Sequence, residues 1–329
     1  MQKIRIAQIG VGYWGPNLLR NLVANKDCEV KAIIDLSKER QTFIKRNYPF
    51  IKVTDNINGV LGDIDAVVIA TPVNTHYALS IKILQAGKHI LVEKPMATTI
   101  EQVQNIGEIA REKRLVAMVG HTFLYNSAVR YVKTLIDSGE LGDIRYIYSQ
   151  RLNLGRIRND VDALWNLAPH DVSIIQYWLG DPEPLEVSRR GMAYIQEGIE
   201  DVVFLNIAYP NGILANIHVS WLDPQKTRKM TVVGSKKMLV YDDIAENKIT
   251  IYDKGIDNLA VLGENTDFDD PSTSYFSYRS GGVVVPKIKW VEPLKAEVEH
   301  FIDCIQTGAK CLTGTEHAKN VVGILALPS

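Results

Sequence analysis

The sequence predicts an α/β protein of two domains, a doubly wound parallel sheet followed by an α+β domain with an open-faced, mostly antiparallel sheet. The first observation is length, because 329 residues exceed the roughly 150 of a typical domain. The second is that the first 120 residues alternate short apolar runs with helical periodicity, which is typical of a parallel sheet covered on both faces. The third is that longer runs with period-two alternation begin after Gly120, which indicates an antiparallel sheet.

The predicted strands of the first domain are almost wholly apolar, as expected where helices cover both faces of a sheet. They are, in order, Ile4–Ile9, Val30–Ile34, Asp65–Ala70, His89–Val92 and Leu115–Val119. Helical periodicity fills the intervals, and Ser37 is a typical N-cap residue for the second helix. The predicted helices are Asn17–Asn25, Ser37–Arg46, Thr75–Ala86 and Thr99–Arg111.

The second domain is predicted from alternating runs separated by turn dipeptides such as Asn211-Gly212. Its predicted strands are Ile144–Leu152, Leu185–Tyr194, Val202–Tyr209, Ile213–Trp221, Arg228–Val233 and Met238–Tyr241. Its predicted helices are Ala128–Ser138, Asp171–Leu179 and Lys295–Thr307. The polar, glycine-rich stretch from Asp257 to Gly282 predicts a long loop or lid. We place the boundary so that the domains are residues 1–121 and 122–329.

Composition excludes several classes of protein. The 37 basic and 38 acidic residues give a net charge of −1, which lacks the electrostatic footprint of a nucleic-acid-binding protein. The three cysteines form no C-x-x-C pair and have no zinc-finger spacing, so we expect reduced thiols and no metal. No apolar run is long enough to span a bilayer, and the N-terminus does not resemble a signal peptide. We therefore expect a cytoplasmic protein without a membrane partner.

A glycine-rich loop follows the first predicted strand and opens the first predicted helix. It reads Gly10-Val11-Gly12-Tyr13-Trp14-Gly15, the G-x-G-x-x-G pattern of dinucleotide-binding Rossmann domains. Asp35 lies at the end of the next strand, 20 positions past Gly15, where a carboxylate hydrogen-bonds the adenosine ribose. The loop predicts pyrophosphate binding at the helix N-terminus. Asp35 favours NAD, and the nearby Lys38 and Arg40 leave NADP as the alternative.

The carboxyl ends of the other parallel strands carry further candidate residues, because ligands of such sheets bind beyond these ends. The third predicted strand is followed by Thr71-Pro72 and His76, and the next by Glu93-Lys94-Pro95. The last is followed by Gly120-His121-Thr122. Lys94 therefore lies at the edge of the expected cofactor crevice, next to a proline that restricts the backbone.

The glycine loop Gly10–Gly15, the Ala70-Thr71-Pro72 segment with His76, and Glu93-Lys94-Pro95 together resemble the glucose–fructose oxidoreductase / inositol dehydrogenase / rhizopine catabolism (Gfo/Idh/MocA) family. The resemblance extends over essentially the whole chain, and Glu93-Lys94-Pro95 matches the most specific family motif. It implies a Rossmann domain, a substrate domain with an open sheet, NAD or NADP as cofactor, and oxidation or reduction of a sugar or cyclitol carbon. The cofactor-binding residues it implies are Gly10, Gly12, Tyr13, Trp14, Gly15, Asp35, Thr71, Pro72, His76, Glu93, Lys94 and Trp165.

The resemblance also implies the catalytic residues. The family's catalytic lysine corresponds to Lys94, and its Asp/Asn-x-x-x-His motif reads Asn166 to His170 here. Asparagine replaces the aspartate of many members, which puts an aspartate-assisted relay in doubt. The segment from Arg156 to Asp171 is most similar to the branch that acts on nucleotide sugars. The substrate-binding residues expected are Lys94, Tyr125, Arg156, Arg158, Asn166 and His170.

Oxidation of a secondary alcohol requires a base within hydrogen-bond reach of the hydroxyl. We expect His170 to be the main acid/base and Lys94 to orient and polarise the reacting oxygen, with the reverse assignment left open. An inositol or free-sugar dehydrogenase is the alternative to a nucleotide-sugar enzyme. A non-catalytic dinucleotide-binding regulator is the alternative of another class.

The strands Val202–Tyr209 and Ile213–Trp221 predict an interface. Both faces of the first are largely apolar, and the second buries its face from Ile213 to Trp221 while Leu214 lies opposite. A sheet with helices on one side leaves the other uncovered, and apolar patches of this kind mark interfaces. We expect a homodimer or homotetramer, with Leu205 or Ile207 on the outer face.

Overall fold

The computed structural model describes residues 2–155, 157–159, 161–258 and 276–326. Its contacts divide the chain into two compact units. The first takes its residues from three segments, which run up to Ser127, from Val172 to Tyr177 and from Trp290 onward. The second comprises Ala128–Asp171 and Trp178–Lys289. The sequence places the whole C-terminal part in the second domain, whereas here its last segment groups with the first unit.

The first unit contains a six-stranded parallel sheet with the order β3-β2-β1-β4-β5-β6. Its strands are β1 (Ile4–Ile9), β2 (Cys28–Ile34), β3 (Lys52–Thr54), β4 (Ala66–Ile69), β5 (His89–Glu93) and β6 (Ala117–Gly120). Every residue of β4 and β6 is buried, as the apolar runs predict. The chain order reverses between β1 and β4, which places a ligand crevice at the carboxyl ends of these strands.

Helices cover this sheet. They are α1 (Gly15–Ala24), α2 (Lys38–Asn47), α3 (His76–Gln85), α4 (Ile100–Glu112), α7 (Pro293–Thr307) and α8 (Thr315–Leu325). Ser37 caps α2 as predicted, since its hydroxyl accepts the Arg40 N–H, and Thr99 caps α4 in the same way. Helix α8, which the sequence analysis did not predict, packs on α4, where an added Cβ at Gly107 would lie 2.9 Å from the Thr315 hydroxyl.

The second unit contains an eight-stranded sheet with the order β14-β13-β12-β11-β7-β10-β9-β8. Its elements are α5 (Ser127–Asp137), β7 (Ile144–Leu152), α6 (Ala163–Leu179), β8 (Glu186–Met192), β9 (Val202–Tyr209), β10 (Ile213–Ser220), β11 (Thr227–Gly234), β12 (Met238–Asp242), β13 (Ile249–Asn258) and β14 (Phe276–Val284). The β7–β10 pair is parallel and the other pairs are antiparallel. The predicted fold class is therefore confirmed.

Two predicted elements differ from the structure. The loop predicted from Asp257 to Gly282 is in part a strand pair, because β13 and β14 form an antiparallel ladder at its two ends; residues 259–275 lie outside the described residues. Helix α6 begins at Ala163 rather than near Asp171, and Pro169 lies inside it. A proline within a helical pattern usually marks a helix boundary, which is why the predicted helix starts after Pro169. In the structure the helix continues through this residue.

Strand β9 also differs from the prediction, which expects Leu205 or Ile207 on its outer face. Leu205 and Ile207 are buried, whereas Phe204 is 43% exposed. In β10 the residues predicted to face inward do face inward, and Leu214 on the opposite face is exposed. Within the described residues, no helix combines the length and hydropathy needed to cross a membrane.

Candidate active site

The glycine loop joins β1 to α1, and its three glycines have different geometries. Gly10 has φ +90°, and an added Cβ would lie 2.4 Å from the Ala70 carbonyl oxygen. A Cβ at Gly15 would lie 2.5 Å from the Gly10 carbonyl oxygen, whereas one at Gly12 would meet no atom within 4 Å. Gly10 and Gly15 are thus required by the protein itself, and the space at Gly12 is available for close approach of a ligand.

Gln8 holds this loop in place from inside the sheet. Its fully buried side chain donates from Nε2 to the carbonyl oxygens of Gly10 and Gly15, at 2.9 and 2.8 Å. Helix α1 has no side-chain N-cap and no acidic residue in its first turn. Its N-terminal N–H groups and positive dipole end therefore suit an anionic group such as a pyrophosphate.

Asp35 follows β2 and lies beside the glycine loop. Its carboxylate accepts the Val11 N–H at Oδ2 and the Ser37 N–H at Oδ1, both at 2.8 Å. These two bonds orient the carboxylate and leave acceptor capacity on both oxygens. The loop and the predicted ribose-binding acid are therefore directly connected, as a dinucleotide site requires.

Lys94 follows β5 and precedes Pro95 across a cis peptide bond. His76, at the start of α3, ties this turn to the end of β4, because its Nδ1 lies 2.8 Å from the Pro95 oxygen and its Nε2 lies 2.8 Å from the Thr71 oxygen. Burial lowers the pKa of His76, and the two carbonyl contacts oppose that shift. With both ring nitrogens facing backbone oxygens, His76 fixes the geometry of the Lys94 turn.

Glu93 directs its carboxyl group toward β6. A Cβ at Gly120 would lie 3.3 Å from the carboxyl atoms of Glu93, so a larger residue there would press against this carboxyl group. Burial raises the pKa of Glu93 to about 7, against the opposing effects of Lys94 and of a hydrogen bond from the Trp14 side chain. Glu93 therefore connects the glycine loop, through Trp14, with the Lys94 turn.

A second buried carboxyl group lies behind Glu93. Glu297 of α7 is fully buried, and its Oε2 accepts the Thr122 hydroxyl at 2.7 Å. Burial raises the pKa of Glu297 well above its ordinary value, and the charge of Glu93 raises it further. His121, beside Thr122, is held neutral because burial lowers its pKa well below the usual range. The carboxyl edge of β5 and β6 is thus backed by neutral, proton-bearing groups.

In the second unit, the first turn of α6 carries Asn166. Asp162 precedes the helix and caps it, since its Oδ1 accepts the Trp165 N–H at 2.8 Å. The Oδ1 of Asn166 accepts the indole N–H of the buried Trp221 at 3.3 Å. Trp221 thereby fixes the amide orientation of Asn166, with its NH₂ group directed away from that bond.

His170 lies four residues after Asn166, on the same face of α6. The next residue, Asp171, is buried and accepts from Arg151 Nε at 2.6 Å and from the Ser149 hydroxyl at 2.8 Å. This ion pair anchors α6 to β7 immediately beside His170. The predicted helix bounds place His170 just before the helix, whereas it is the eighth residue of α6, beyond the first turn in which the helix dipole acts.

Comparison with protein families matches both units. The oxidoreductase family with an NAD-binding Rossmann fold, GFO/IDH/MocA, matches residues 4–121, and the GFO/IDH/MocA C-terminal domain matches residues 129–240. The chain belongs to the Gfo/Idh/MocA oxidoreductase family. It is an NAD(P)-dependent oxidoreductase in that family, as the sequence resemblance implies.

Among Gfo/Idh/MocA relatives, UDP-N-acetylglucosamine 3-dehydrogenase of Acidithiobacillus ferrooxidans is 27% identical over 256 residues, 78% of this chain and 79% of the relative. The scyllo-inositol 2-dehydrogenase (NAD(+)) of Bacillus subtilis is 25% identical over 322 residues, 93% of this chain and 87% of the relative. The solved structure of the first enzyme has a TM-score of 0.82 at 23% identity and covers 99% of this chain and 96% of its own. That likeness confirms the Gfo/Idh/MocA fold.

The remaining predicted substrate-binding residues of this Gfo/Idh/MocA chain are Tyr125, Arg156 and Arg158. Tyr125 is 1% exposed, and its hydroxyl lies 3.0 Å from the Thr313 hydroxyl, so it is a packing residue of the first unit and the expected substrate contact is not supported. Arg158 is exposed, and its carbonyl accepts from Gln196. Arg156 lies outside the described residues.

Sequence reasoning missed Gln8, Glu297 and the Arg151–Asp171 pair. A lone buried glutamine in an apolar strand was available as a signal, because such a residue needs a specific partner. Glu297 lies 203 positions from Lys94 along the chain, and no local pattern connects them.

Proposed function

We propose that this protein is an NAD-dependent dehydrogenase that acts on a secondary alcohol of a sugar, and that the sugar is carried on a nucleotide. The observation that carries the cofactor assignment is the glycine loop joined to Asp35 by the Val11 N–H. The relative named UDP-N-acetylglucosamine 3-dehydrogenase supports a nucleotide-linked sugar, and the scyllo-inositol 2-dehydrogenase represents the alternative substrate class. The match of the Rossmann family model to residues 4–121 supports the proposed boundary of the NAD-binding domain near residue 121.

The cofactor-binding residues fit a dinucleotide. The uncapped N-terminus of α1 and the open space at Gly12 suit a pyrophosphate, and Tyr13 and Trp14 flank that space in the loop. Thr71, Pro72 and Glu93 follow the ends of β4 and β5, where the nicotinamide half of a dinucleotide binds in sheets of this kind. Trp165 of the second unit stays a proposed cofactor contact. When bound, NAD supplies the hydride acceptor of the reaction.

Asp35 is proposed to enforce the preference for NAD. Its carboxylate is fixed by two backbone N–H donors, so it accepts bonds from ribose hydroxyls and repels a 2′-phosphate. Asp35→Ser should therefore lower the ratio of kcat/KM with NAD to kcat/KM with NADP. Asp27→Ser, at an exposed aspartate that directly precedes β2, serves as the matched control and should leave the ratio unchanged. Equal use of NAD and NADP by the unaltered enzyme would contradict the assignment.

Lys94 and His170 are proposed to handle the substrate proton. His170 removes the hydroxyl proton during oxidation, and Lys94 holds the reacting oxygen and stabilises its developing negative charge. Asn166, oriented by Trp221, is proposed to bind a substrate hydroxyl through its amide. Arg156 and Arg158 are proposed to bind the diphosphate, for which guanidinium groups are suited.

Lys94→Ala and His170→Ala should each lower kcat by about 100-fold or more, which is the usual contribution of an acid/base group. The dissociation constant for NAD should change little in His170→Ala. If His170 is the base, its loss also removes the acidic limb of the pH–rate profile, whereas Lys94→Ala retains that limb. Turnover near the normal rate in His170→Ala would remove this residue from the mechanism.

A substrate screen tests the sugar class. UDP-sugars, free sugars and cyclitols are offered with NAD, and NADH absorbance is followed. A kcat/KM at least tenfold higher for a UDP-sugar than for the matching free sugar supports the proposal. A preference for free inositol or sugar would favour the alternative substrate class. NAD binding without turnover of any member would favour a regulator.

A further inference from the structure

A cluster of one histidine and two cysteines lies in the first unit, away from the glycine loop. His300 and Cys304 are four residues apart on α7, so they project from the same face of the helix. Cys311 lies in the segment that joins α7 to α8. One ligating atom from each of the three residues lies within 4.8 Å of the others.

The spacing of these atoms is close to that of a tetrahedral zinc site. Zn–N and Zn–S bonds of about 2.0 and 2.3 Å, at a tetrahedral angle, separate a nitrogen from a sulfur by about 3.5 Å. The observed distance from His300 Nε2 to Cys304 Sγ is 3.4 Å. A cation therefore fits between these groups after small rotations of the side chains.

The chemistry of the cluster also suits a thiophilic cation. The Leu312 backbone N–H donates to His300 Nε2 at 2.9 Å, so Nε2 carries a lone pair and not a proton in neutral His300. Cys304 Sγ faces this same nitrogen, so its thiol donates to Nε2 and gives up that proton as a thiolate when a cation binds. A metal-ligating histidine and cysteine need these two states, an unprotonated nitrogen and a thiolate.

The surroundings allow entry of an ion. Cys304 is 1% exposed, whereas His300 and Cys311 are half-buried and give access from solvent. Occupancy redirects the Leu312 N–H, which directly follows Cys311 in the chain and so lies close to a thiolate acceptor. The fourth position of a tetrahedral ion is left for water, as in other sites with three protein ligands.

We propose that His300, Cys304 and Cys311 form a binding site for a thiophilic divalent cation, with zinc as the biological candidate. Zinc-finger spacing rules do not detect this site, because the cysteines are seven residues apart and the histidine precedes them on the helix. A bound ion would connect the C-terminal end of α7 with the segment between α7 and α8. That segment pairs with β6, because the Val119 N–H donates to the Thr313 oxygen. The expected role of the site is to stabilise the first unit.

Cobalt(II) titration of the reduced, metal-free, full-length protein tests the proposal. We expect a thiolate-to-cobalt charge-transfer band with the intensity of two thiolates, which equimolar zinc abolishes. Cys304→Ser and Cys311→Ser should each remove part of the band and weaken zinc binding by more than about 100-fold. A loss of that size exceeds the loss expected for a residue that only hydrogen-bonds to a metal ligand. Cys28→Ser is the matched control, since Cys28 is a buried thiol bonded to the Leu22 oxygen elsewhere in the same unit, and it should keep the band.

Zinc should also raise the melting temperature of the unaltered protein, because it binds the folded state. This measurement does not depend on the folding of any variant. A cobalt spectrum without thiolate ligation in the unaltered protein would overturn the proposal. A band that keeps its full intensity in both Cys304→Ser and Cys311→Ser, or a reduced protein that gains no thermal stability from zinc, would overturn it as well.

Discussion

Asp171 shows how much of this structure depends on single buried polar groups. Its carboxylate is 1% exposed and accepts from Arg151 and Ser149, while Arg151 is itself 5% exposed. Burying two charges costs several kcal/mol, and their attraction offsets that cost only with good geometry. The pair is thus best understood as a device that specifies the position of α6 beside His170.

Asp171→Asn should lower the free energy of unfolding by about 3–5 kcal/mol, because the buried Arg151 would lose the carboxylate that pairs with it. Urea unfolding followed by circular dichroism measures this change. Asp137→Asn removes an exposed partner of Lys133 in α5 and should cost no more than about 0.5 kcal/mol. A cost for Asp171→Asn as small as that of the control would show that the buried pair contributes little.

Glu297→Gln should change the pH dependence of stability. The pKa of Glu297 is raised in the folded state, so the folded protein resists its ionisation and stability falls as pH rises above the unfolded value of about 4.5. Glutamine resembles the protonated acid and still accepts the Thr122 hydroxyl. The free energy of unfolding is measured for the variant and for the parent at pH 5 and at pH 8. The stability of the variant relative to the parent should be higher at pH 8 than at pH 5. A difference that is constant with pH would contradict the burial argument.

At the scale of elements, a strand was predictable where its alternate residues are apolar on one face and polar on the other, or where both faces are apolar. Strands β1, β7 and β9 have the bounds that the hydrophobic pattern predicts. Strand β14 was not predicted, because its Ser280-Gly281-Gly282 run is typical of a loop, and it exists through pairing with β13. Helix α6 was shortened in the prediction because Pro169 is a helix-breaking signal that packing overrides.

The outer face of the eight-stranded sheet is where we predict an interface between copies of the chain. Phe204 stacks on His218 with ring centroids 4.2 Å apart, Asn206 bonds Asn216 across the same strand pair, and Tyr146 and Leu214 are exposed beside them. Aromatic rings mixed with amides are typical of protein interfaces, where aromatic residues are enriched. We propose that two copies pair through this face with isologous symmetry.

Phe204→Lys should dissociate this oligomer, because it places a charge in the centre of the paired sheets. Light scattering at micromolar concentration measures the mass. Phe50→Lys introduces the same charge at an exposed aromatic residue of the first unit and should leave the mass unchanged. A mass near 36.8 kDa for the unaltered protein would mean a monomer and reject the proposal.

At the scale of the whole molecule, the sequence located the parts of the candidate site that are local in the chain. Gly10 to Gly15, Asp35 and Lys94 are found from spacing and strand ends, because the parallel sheet brings those ends to one edge. Gln8 and Glu297 were missed, since their roles come from packing between distant segments. The same limit explains Tyr125, whose burial depends on Thr313 in the last part of the chain.

The C-terminal helices should be required for the first unit to fold. Thr122 bonds Glu297, Arg20 pairs with Glu292, and the Val119 N–H donates to the Thr313 oxygen. A fragment that ends at Ser127 exposes the apolar surface that α7 and α8 cover and should lack a cooperative thermal transition. Residues 1–127 joined by a short linker to 290–329 should regain part of that transition, as measured by calorimetry. Cooperative unfolding of the shorter fragment would contradict this dependence.

The three-segment composition of the first unit also has a consequence for biosynthesis. Domains generally fold as units, the N-terminal one first, while the ribosome extends the chain. Here the N-terminal strands emerge early, but α7 and α8 are translated only after the second unit, so the nucleotide-binding unit stays incomplete until they emerge. The apolar surface that α7 and α8 cover is therefore exposed while the second unit is translated, and we expect a ribosome that stalls before residue 290 to release no functional product.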